Sequence, residues 1–497
     1  MSLLQKRCNA RGRVTERKAP AREESGGLYT GRRFHFVGAG GIGMSGLAKL
    51  LLRNGAIVSG SDQEDSTIAA ELRCLGADIR IGHDAANLGP ELDAVVISAA
   101  VKPDNPEVLA AQQAGRRIHK YARMLGQIMD RYKGIAVCGT HGKSTSTGWL
   151  AYVLREAGIS PNFVVGAAIP QLGGSSGVGE IAGWFVAEAC EYDRSFLNLH
   201  PRICVILNIE QDHLDYYRDE AEIVDAFADF ADNVPQGGTL IVNAHDANVG
   251  EVVRRRGRAR RVVSFGLRPD ADFYARNLTL TDGLYRFEIV RGGKPLGFVQ
   301  IGLPGEHNVF NALAVTAAAV SAGVDPAVVL NVLGGFTGAD RRLMLKAVVA
   351  GVTVLDDYAH HPTEIRASLS AMRQRYAPRR LWCVFQPHQY SRTRFLLEDF
   401  AESFRLADVT IVPDIYFVRD TMESRKEVNA QVLADRICAK GAKAVFIPDF
   451  ASIREYLKTH VQAGDLVVTM GAGNVWKVAD EYIQWLGENR QDQLRPE

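Results

Sequence analysis

Lys143 and Ser144 follow a glycine turn, Cys138-Gly139-Thr140-His141-Gly142, which itself follows the apolar run Ile135-Ala136-Val137. A strand that stops at such a turn and restarts as a helix aims several backbone N–H groups at one point, where the helix dipole adds about half a positive charge. In that setting Lys143 would reach the outer phosphates of a nucleoside triphosphate and Ser144 would hold magnesium, with Gly139, Thr140, His141, Gly142 and Thr145 completing the cradle. The required helix is present in the pattern: Leu150, Val153, Leu154 and Ala157 recur at i, i+3, i+4 and i+7, and Gly158 closes it. One departure stands out, because the usual loop has glycine where Val137 stands.

A second phosphate signature lies upstream. Gly38-Ala39-Gly40-Gly41-Ile42-Gly43 matches G-x-G-x-x-G between the strand Phe34–Val37 and a helix carrying Met44, Leu47, Ala48 and Leu51 on one face. Asp62 follows about twenty residues on, where an acidic group would meet a ribose hydroxyl. Alone, this pattern indicates a nicotinamide-dependent oxidoreductase. The glycines, however, only permit close approach of a diphosphate; they do not name the nucleotide. Two different phosphate cradles in one chain point instead to a synthetase that activates one substrate with ATP.

Polar residues cluster after further strands. Glu188 and Glu191 follow the strand ending at Ala187, and Asn208, Glu210, Asp212, His213 and Asp215 follow the one ending at Leu207. Ligands in open α/β sheets bind beyond such strand ends, and magnesium needs only one or two protein groups besides phosphate oxygens. A glutamate, a histidine and Ser144 would suffice. Asn308 and Asn311 open an alanine-rich helix, three residues apart, suited either to an adenine edge or to capping. Asp356 to Pro362 and Phe385 to Arg394 form two more polar loops after strands.

The elements that must position these groups alternate strand and helix, which implies α/β domains with parallel sheets covered on both faces. The 497 residues suit about three domains. A disordered basic leader is expected over 1–32, a Rossmann-like domain over 33–132, a central P-loop-type domain over 133–334 with hairpins near 260–300, and a Rossmann-like domain over 335–497. A net charge of +1 argues against a nucleic-acid partner. Seven cysteines without a C-x-x-C pair suggest neither zinc nor disulfides. With no apolar run long enough to span a bilayer and no signal-peptide core, the expectation is a cytoplasmic protein without membrane attachment, monomeric or homodimeric.

Assembled in order, these segments resemble the Mur ligases of peptidoglycan synthesis, and within them the alanine-adding branch. The resemblance covers residues 34 to about 485. It rests on His35 to Met44, Ser59 to Asp62, Asp104 to Glu107, Gly139 to Thr145, Asn208 to Glu210 with Asp212-His213, Gly305 to Asn311, Asp356 to Glu364, and Gly464 to Leu466 with Met470 to Gly473. It implies ATP-dependent joining of L-alanine to the carboxylate of UDP-N-acetylmuramate through an acyl phosphate. The 38–43 loop with Met44, Asp62, Ser98 and Asn105 would bind the UDP-sugar, which displaces the oxidoreductase reading. Lys143 and Arg342 would contact the transferring phosphate, and Ser144, Glu188 and His213 would hold Mg²⁺, with Mn²⁺ as the alternative. His307, Asn308 and Asn311 would surround adenine and Asp357 the ribose. Tyr358, His360 and Arg392 would line the amino-acid pocket, with His360 or His361 as the base. The chain departs from the pattern at Cys190, where the branch has aspartate, at Gln389, where it has an arginine, and at Leu343, where it has phenylalanine. No lysine occurs between 144 and 293, so the carbamylated lysine of other branches has no counterpart. Three alternatives remain: a sibling that joins a recycled murein peptide to the same sugar nucleotide, a nicotinamide-dependent oxidoreductase, and a non-catalytic nucleotide-binding regulator.

Overall fold

The computed structural model describes residues 27–256, 260–418, 420 and 424–493. Most of the basic leader expected over 1–32 lies outside them. Packing nevertheless begins before Arg33, since Tyr29 is buried and its ring meets Phe34 edge-on at 6.0 Å.

Contacts divide the chain into two compact units. One is built from residues up to Lys133 with 160–166 and 175–185, and the other from the remainder. The first sheet comprises β1 (Arg33–Val37), β2 (Ile57–Asp62), β3 (Asp78–Ile81), β4 (Ala94–Ile97) and β5 (Ile118–Lys120), in the order β3-β2-β1-β4-β5 and parallel throughout. The crossing helices include α1 (Ile42–Arg53), α2 (Pro106–Gln113) and α3 (Tyr121–Met129). Gly43 is glycine because α1 lies against Tyr121: a Cβ there would sit 3.0 Å from the ring.

A ten-stranded sheet comprises β6 (Lys133–Cys138), β7 (Asn162–Ile169), β8 (Gly174–Gly177), β9 (Trp184–Glu188), β10 (Ile203–Ile206), β11 (Thr239–Asn243), β12 (Arg261–Gly266), β13 (Phe273–Thr281), β14 (Leu284–Arg291) and β15 (Lys294–Gln300). Its order is β15-β14-β13-β12-β11-β10-β6-β9-β7-β8. β6, β10, β11 and β12 run parallel, whereas β13, β14 and β15 form the antiparallel hairpins expected near 260–300. The helices α4 (Lys143–Glu156) and α5 (His307–Ser321) belong to this part. Both carry small or apolar residues on their buried faces, and the Trp149 ring of α4 stacks on Phe336 at 5.4 Å.

The third sheet contains β16 (Met344–Val349), β17 (Val352–Asp357), β18 (Leu381–Phe385), β19 (Val409–Val412), β20 (Ala444–Phe446) and β21 (Leu466–Met470), in the order β16-β17-β21-β18-β19-β20. All pairs are parallel except β16 with β17. α6 (Pro362–Tyr376) and α7 (Tyr390–Phe395) follow β17 and β18. Among the described residues no helix is long and apolar enough to cross a membrane, and the six described cysteines form no disulfide with one another.

Candidate functional site

β6 ends at Cys138, and the chain turns through Gly139 (φ 138°) and Gly142 (φ 81°) into α4. No side chain caps α4, so its first N–H groups are available to an anion. Gly142 must be glycine for two reasons: its φ is left-handed, and a Cβ would stand 2.8 Å from Asn311 Oδ1. Asn311 therefore buttresses the phosphate loop. Its amide donates to Asn308 Oδ1 at 3.0 Å, and Asn308 donates to the Pro304 carbonyl at 2.8 Å. Val137, in place of glycine, is an ordinary buried strand residue.

The loop is strapped from the strand beside it. Asn208 accepts from His141 N–H at 2.7 Å and donates to the His141 carbonyl at 3.1 Å, while Glu210 N–H donates to Thr140 Oγ1 at 2.8 Å. Asn208 and Glu210, metal-binding candidates by sequence, shape the loop through these bonds. Asp212 accepts from Arg392 Nε and Nη2 at 3.1 and 3.0 Å in a buried pair. Asp215 accepts from the Tyr192 hydroxyl at 3.2 Å.

Glu188, Glu191 and His213 do surround the cradle's cation. Lys143 Nζ donates to Gly139 O at 2.6 Å, Thr140 O at 3.0 Å and Glu191 Oε1 at 2.9 Å. Burial works against its charge, but Glu191 and its neighbours outweigh it and hold the ammonium above its ordinary range. Ser144 Oγ donates to Glu188 Oε1 at 3.1 Å, and His213, at φ 56°, places Nε2 3.6 Å from Glu191 Oε1. Glu191 Oε2 is buried without a hydrogen-bond partner. A hydroxyl, two carboxylates with one uncommitted oxygen, and an imidazole form a donor set that fits magnesium. Cys190, between the two glutamates, is a free thiol.

His141 is the hinge of a charged cluster that spacing did not reveal. Nε2 lies 3.3 Å from Glu210 Oε2 and Nδ1 3.1 Å from Glu364 Oε1, residues 69 and 223 positions away. Burial alone would pull the imidazolium pKa down, but these hydrogen bonds outweigh it and raise it to about 9. Glu210, despite burial, is held down at about 2 by His141, Thr363 and His361. Both charges are thus complete between the ordinary carboxylate and imidazole ranges. Because His141 is raised on folding, its contribution is full below about pH 6.5 and fades as pH climbs through about 9. The stability gap between the protein and His141→Gln should therefore be on the order of 3 kcal/mol near pH 6 and shrink above pH 9. Urea unfolding at the two pH values checks this; a gap that widens with pH would refute it.

His361 is not a base. Its Nε2 faces the Gln211 carbonyl at 3.1 Å, so it carries the proton, and Nδ1 accepts from Thr363 N–H at 3.3 Å. With Glu364 it forms the capping box of α6, a role the pattern His-x-x-Glu could have signalled. His360 differs. Nδ1 faces the Tyr358 carbonyl at 3.1 Å and so bears the proton, leaving the Nε2 lone pair. Burial outweighs Glu364 and brings its pKa to about 4, assisted by Arg392 and Arg342.

His141, Gly142, Thr145, Arg342, Asp357 and Glu364 line one cavity of about 820 Å³, which also reaches His307, Asn308 and Asn311. His245 and Phe310 line it as well, and their rings meet edge-on at 5.8 Å, with His245 Nε2 buried and unpartnered. Neither was expected from the sequence. Asp357 accepts from Ser368 Oγ at 2.7 Å and Ala359 N–H at 2.9 Å, and burial still pushes its pKa up to about 6. Arg342 is presented by strained backbone, since Arg341 (φ 60°) and Leu343 (φ 48°) flank it in left-handed conformations. Its guanidinium lies 4.9 Å from the Tyr358 ring centre and 3.9 Å from Glu364 Oε1. Gln389, also left-handed at φ 74°, is buried at the start of α7, its N–H bonded to the Tyr416 carbonyl at 3.1 Å.

The upstream loop is complete within the first unit. Gly38 and Ala39 N–H both donate to Ser61 O at 2.9 Å, and Gly40 N–H donates to Asp62 Oδ2 at 2.7 Å. One Asp62 oxygen is thereby committed to the loop. Asn105 caps α2, accepting from Glu107 N–H at 2.9 Å, and Ser98 Oγ accepts from Ala100 N–H at 3.3 Å. Met44 is buried in α1.

Three family models match in chain order: Mur ligase family, catalytic domain, over 33–133; Mur ligase middle domain over 137–319; and Mur ligase, glutamate ligase domain, over 341–473. UDP-N-acetylmuramate--L-alanine ligase of Alkaliphilus metalliredigens is 43% identical over 90% of this chain and 96% of its own. Among solved structures, UDP-N-acetylmuramate-alanine ligase of Thermotoga maritima aligns with a TM-score of 0.78 at 28% identity, covering 92% of this chain and 99% of that one. A murein peptide ligase of Psychrobacter arcticus aligns with a TM-score of 0.70 at 26% identity, covering 92% and 99%.

Proposed function

The chain belongs to the Mur ligase family, and from that premise we propose that it joins L-alanine to the carboxylate of UDP-N-acetylmuramate at the expense of ATP. The observation that carries the reading is the cavity shared by the phosphate loop and Arg342, together with the identity to alanine ligases over nearly their whole length.

A carboxylate resists amines because its carbon is a poor electrophile and oxide a poor leaving group. Transfer of the γ-phosphoryl group to the sugar-linked carboxylate forms a C–O–P anhydride and releases ADP. The amine then attacks the carbonyl carbon, and inorganic phosphate departs with the former carboxylate oxygen. Lys143 exchanges its loop carbonyls for phosphate oxygens, and Arg342 meets the group in flight; both neutralise charge on the equatorial oxygens. Ser144, Glu188 and His213 would hold magnesium, which when bound adds charge neutralisation at the phosphates. His245 and Phe310, with His307 and Asn308, form the cavity wall for the base, and Asp357 meets the ribose. Tyr358, His360 and Arg392 receive the amino acid. Arg392 holds Asp212 through Nε and Nη2 and turns Nη1 toward His388 Nδ1 at 3.5 Å, a long contact that the amino-acid carboxylate would replace. His360 Nε2, unprotonated at neutral pH, takes the amine proton; the anionic acyl phosphate raises its affinity when that proton is released. The glycine loop at 38–43 holds the UDP diphosphate, with Met44, Ser98 and Asn105 shaping the pocket around it.

The test is phosphate release from ATP. Release that requires both UDP-N-acetylmuramate and L-alanine supports the reading. Release with L-alanyl-γ-D-glutamyl-meso-diaminopimelate in place of alanine would favour the murein peptide reading, which the likeness to the Psychrobacter arcticus structure keeps in view. No release with either amine would overturn both.

A further inference from the structure

The first unit contains another cavity, of about 700 Å³, that the ligation chemistry does not use. Phe34, Ala94 and Ile118 line it, so it opens where β1, β4 and β5 begin. The glycine loop lies past the other end of β1, roughly 13 Å along the strand. Ligands of parallel sheets bind beyond the carboxyl ends of the strands, and nothing in the fold calls for a cavity of ligand size at the amino ends.

Its lining is uneven in charge. Arg117 and Arg123, from the start of β5 and from α3, both face it, and among the described residues neither has a carboxylate partner. Two other arginines of the lining are engaged: Arg32 pairs with Asp93 at 3.5 Å, and Arg131 sits 5.5 Å from the Tyr29 ring centre. Asp130 is the remaining carboxylate of the lining. Between Arg117 and Arg123 in sequence stands His119, only 9% exposed, whose Nδ1 is buried without a hydrogen-bond partner. Burial lowers its proton affinity, and the charges of Arg123 and Arg117 lower it further. Tyr29 and Phe34 supply aromatic surface to the wall.

Two uncompensated guanidinium groups carry two positive charges and present planar forks of N–H donors, which match the oxygens of a phosphate or a carboxylate. A buried imidazole nitrogen without a partner marks a place where a polar ligand group would be satisfied. Aromatic walls favour a flat apolar body. We propose that this cavity binds a small organic dianion, a phosphate monoester or a dicarboxylate with a flat apolar part, at a site separate from both phosphate cradles.

Calorimetric titration of the full chain, with ADP and UDP-N-acetylmuramate saturating, tests it with phenyl phosphate and phthalate as probes. One equivalent of at least one probe should bind, and Arg117→Gln or Arg123→Gln should weaken it at least tenfold while ligation stays within twofold. Arg117→Lys, which keeps the charge but loses the fork, should fall between. Binding of phenyl phosphate alone identifies a phosphate monoester site, and binding of phthalate alone a dicarboxylate site. No binding by either probe, or binding that both glutamine variants leave unchanged while their thermal unfolding matches the parent, overturns the proposal.

Discussion

Lys143→Ala should lower the turnover of ligation by about 10³-fold or more while leaving UDP-N-acetylmuramate affinity within about threefold. The first effect follows from charge. The γ-phosphoryl group in transfer spreads negative charge over three oxygens, and an ammonium held at the mouth of the loop is worth most where water is excluded. The second follows from location, since the glycine loop at 38–43 makes its hydrogen bonds to Ser61 and Asp62 within the first unit. A stability cost is also expected. Glu191 is 3% exposed and depends on Lys143 for its counter-charge, so alanine strands a buried carboxylate, a change that typically costs about 3–5 kcal/mol. Retained UDP-sugar binding, read by calorimetry, separates lost chemistry from lost fold. Equal loss of both would refute the assignment of separate cradles.

The parts of this site that were legible in the sequence are local ones. A strand, a glycine turn and a helix are encoded by neighbours, so Lys143, Ser144 and the 38–43 loop could be placed by type and spacing. The strand ends bearing Glu188, His213, Asp357 and Arg392 were legible for the same reason. What could not be read is how distant chain closes on the loop. His141, Glu210 and Glu364 meet across 69 and 223 residues, and no local pattern announces that. The same holds for the approach of Asn311 to Gly142, which its spacing from Asn308 does not announce. His361 misled in the opposite direction: two adjacent histidines suggested a base, yet one of them is consumed in capping a helix. The His-x-x-Glu spacing is compatible with that cap, but the geometry is fixed by backbone torsions, which residue type alone does not report. Left-handed residues pose the same difficulty. Arg341, Leu343 and Gln389 all have positive φ, and none is a residue type enriched there.

The Arg341-Arg342 pair converts that hidden backbone geometry into a second large effect. Residue type alone does not separate two adjacent arginines, but the structure does. Arg341 is tied down: Nε donates to Asp356 at 2.9 Å and Nη2 to the Gly471 carbonyl at 2.8 Å. Arg342 has no such anchor and lines the cavity against Tyr358 and Glu364. Left-handed backbone at a non-glycine residue costs roughly 1–2 kcal/mol, and here it is spent on both sides of Arg342, which turns the two guanidinium groups to different tasks. Arg342→Ala should therefore lower turnover by about 10²–10³-fold, the usual consequence of removing one donor aimed at transition-state charge, with little change in folding stability. Arg341→Ala should do the reverse, lowering the urea midpoint first and activity only as far as the loop loosens. Arg342→Lys should recover part of the loss, because it restores charge without the planar fork. Single-turnover measurement of phosphate formation at saturating ATP separates these cases. If Arg342→Ala raised only the KM for ATP and left turnover intact, the residue would bind ground-state nucleotide rather than the phosphoryl group in transfer.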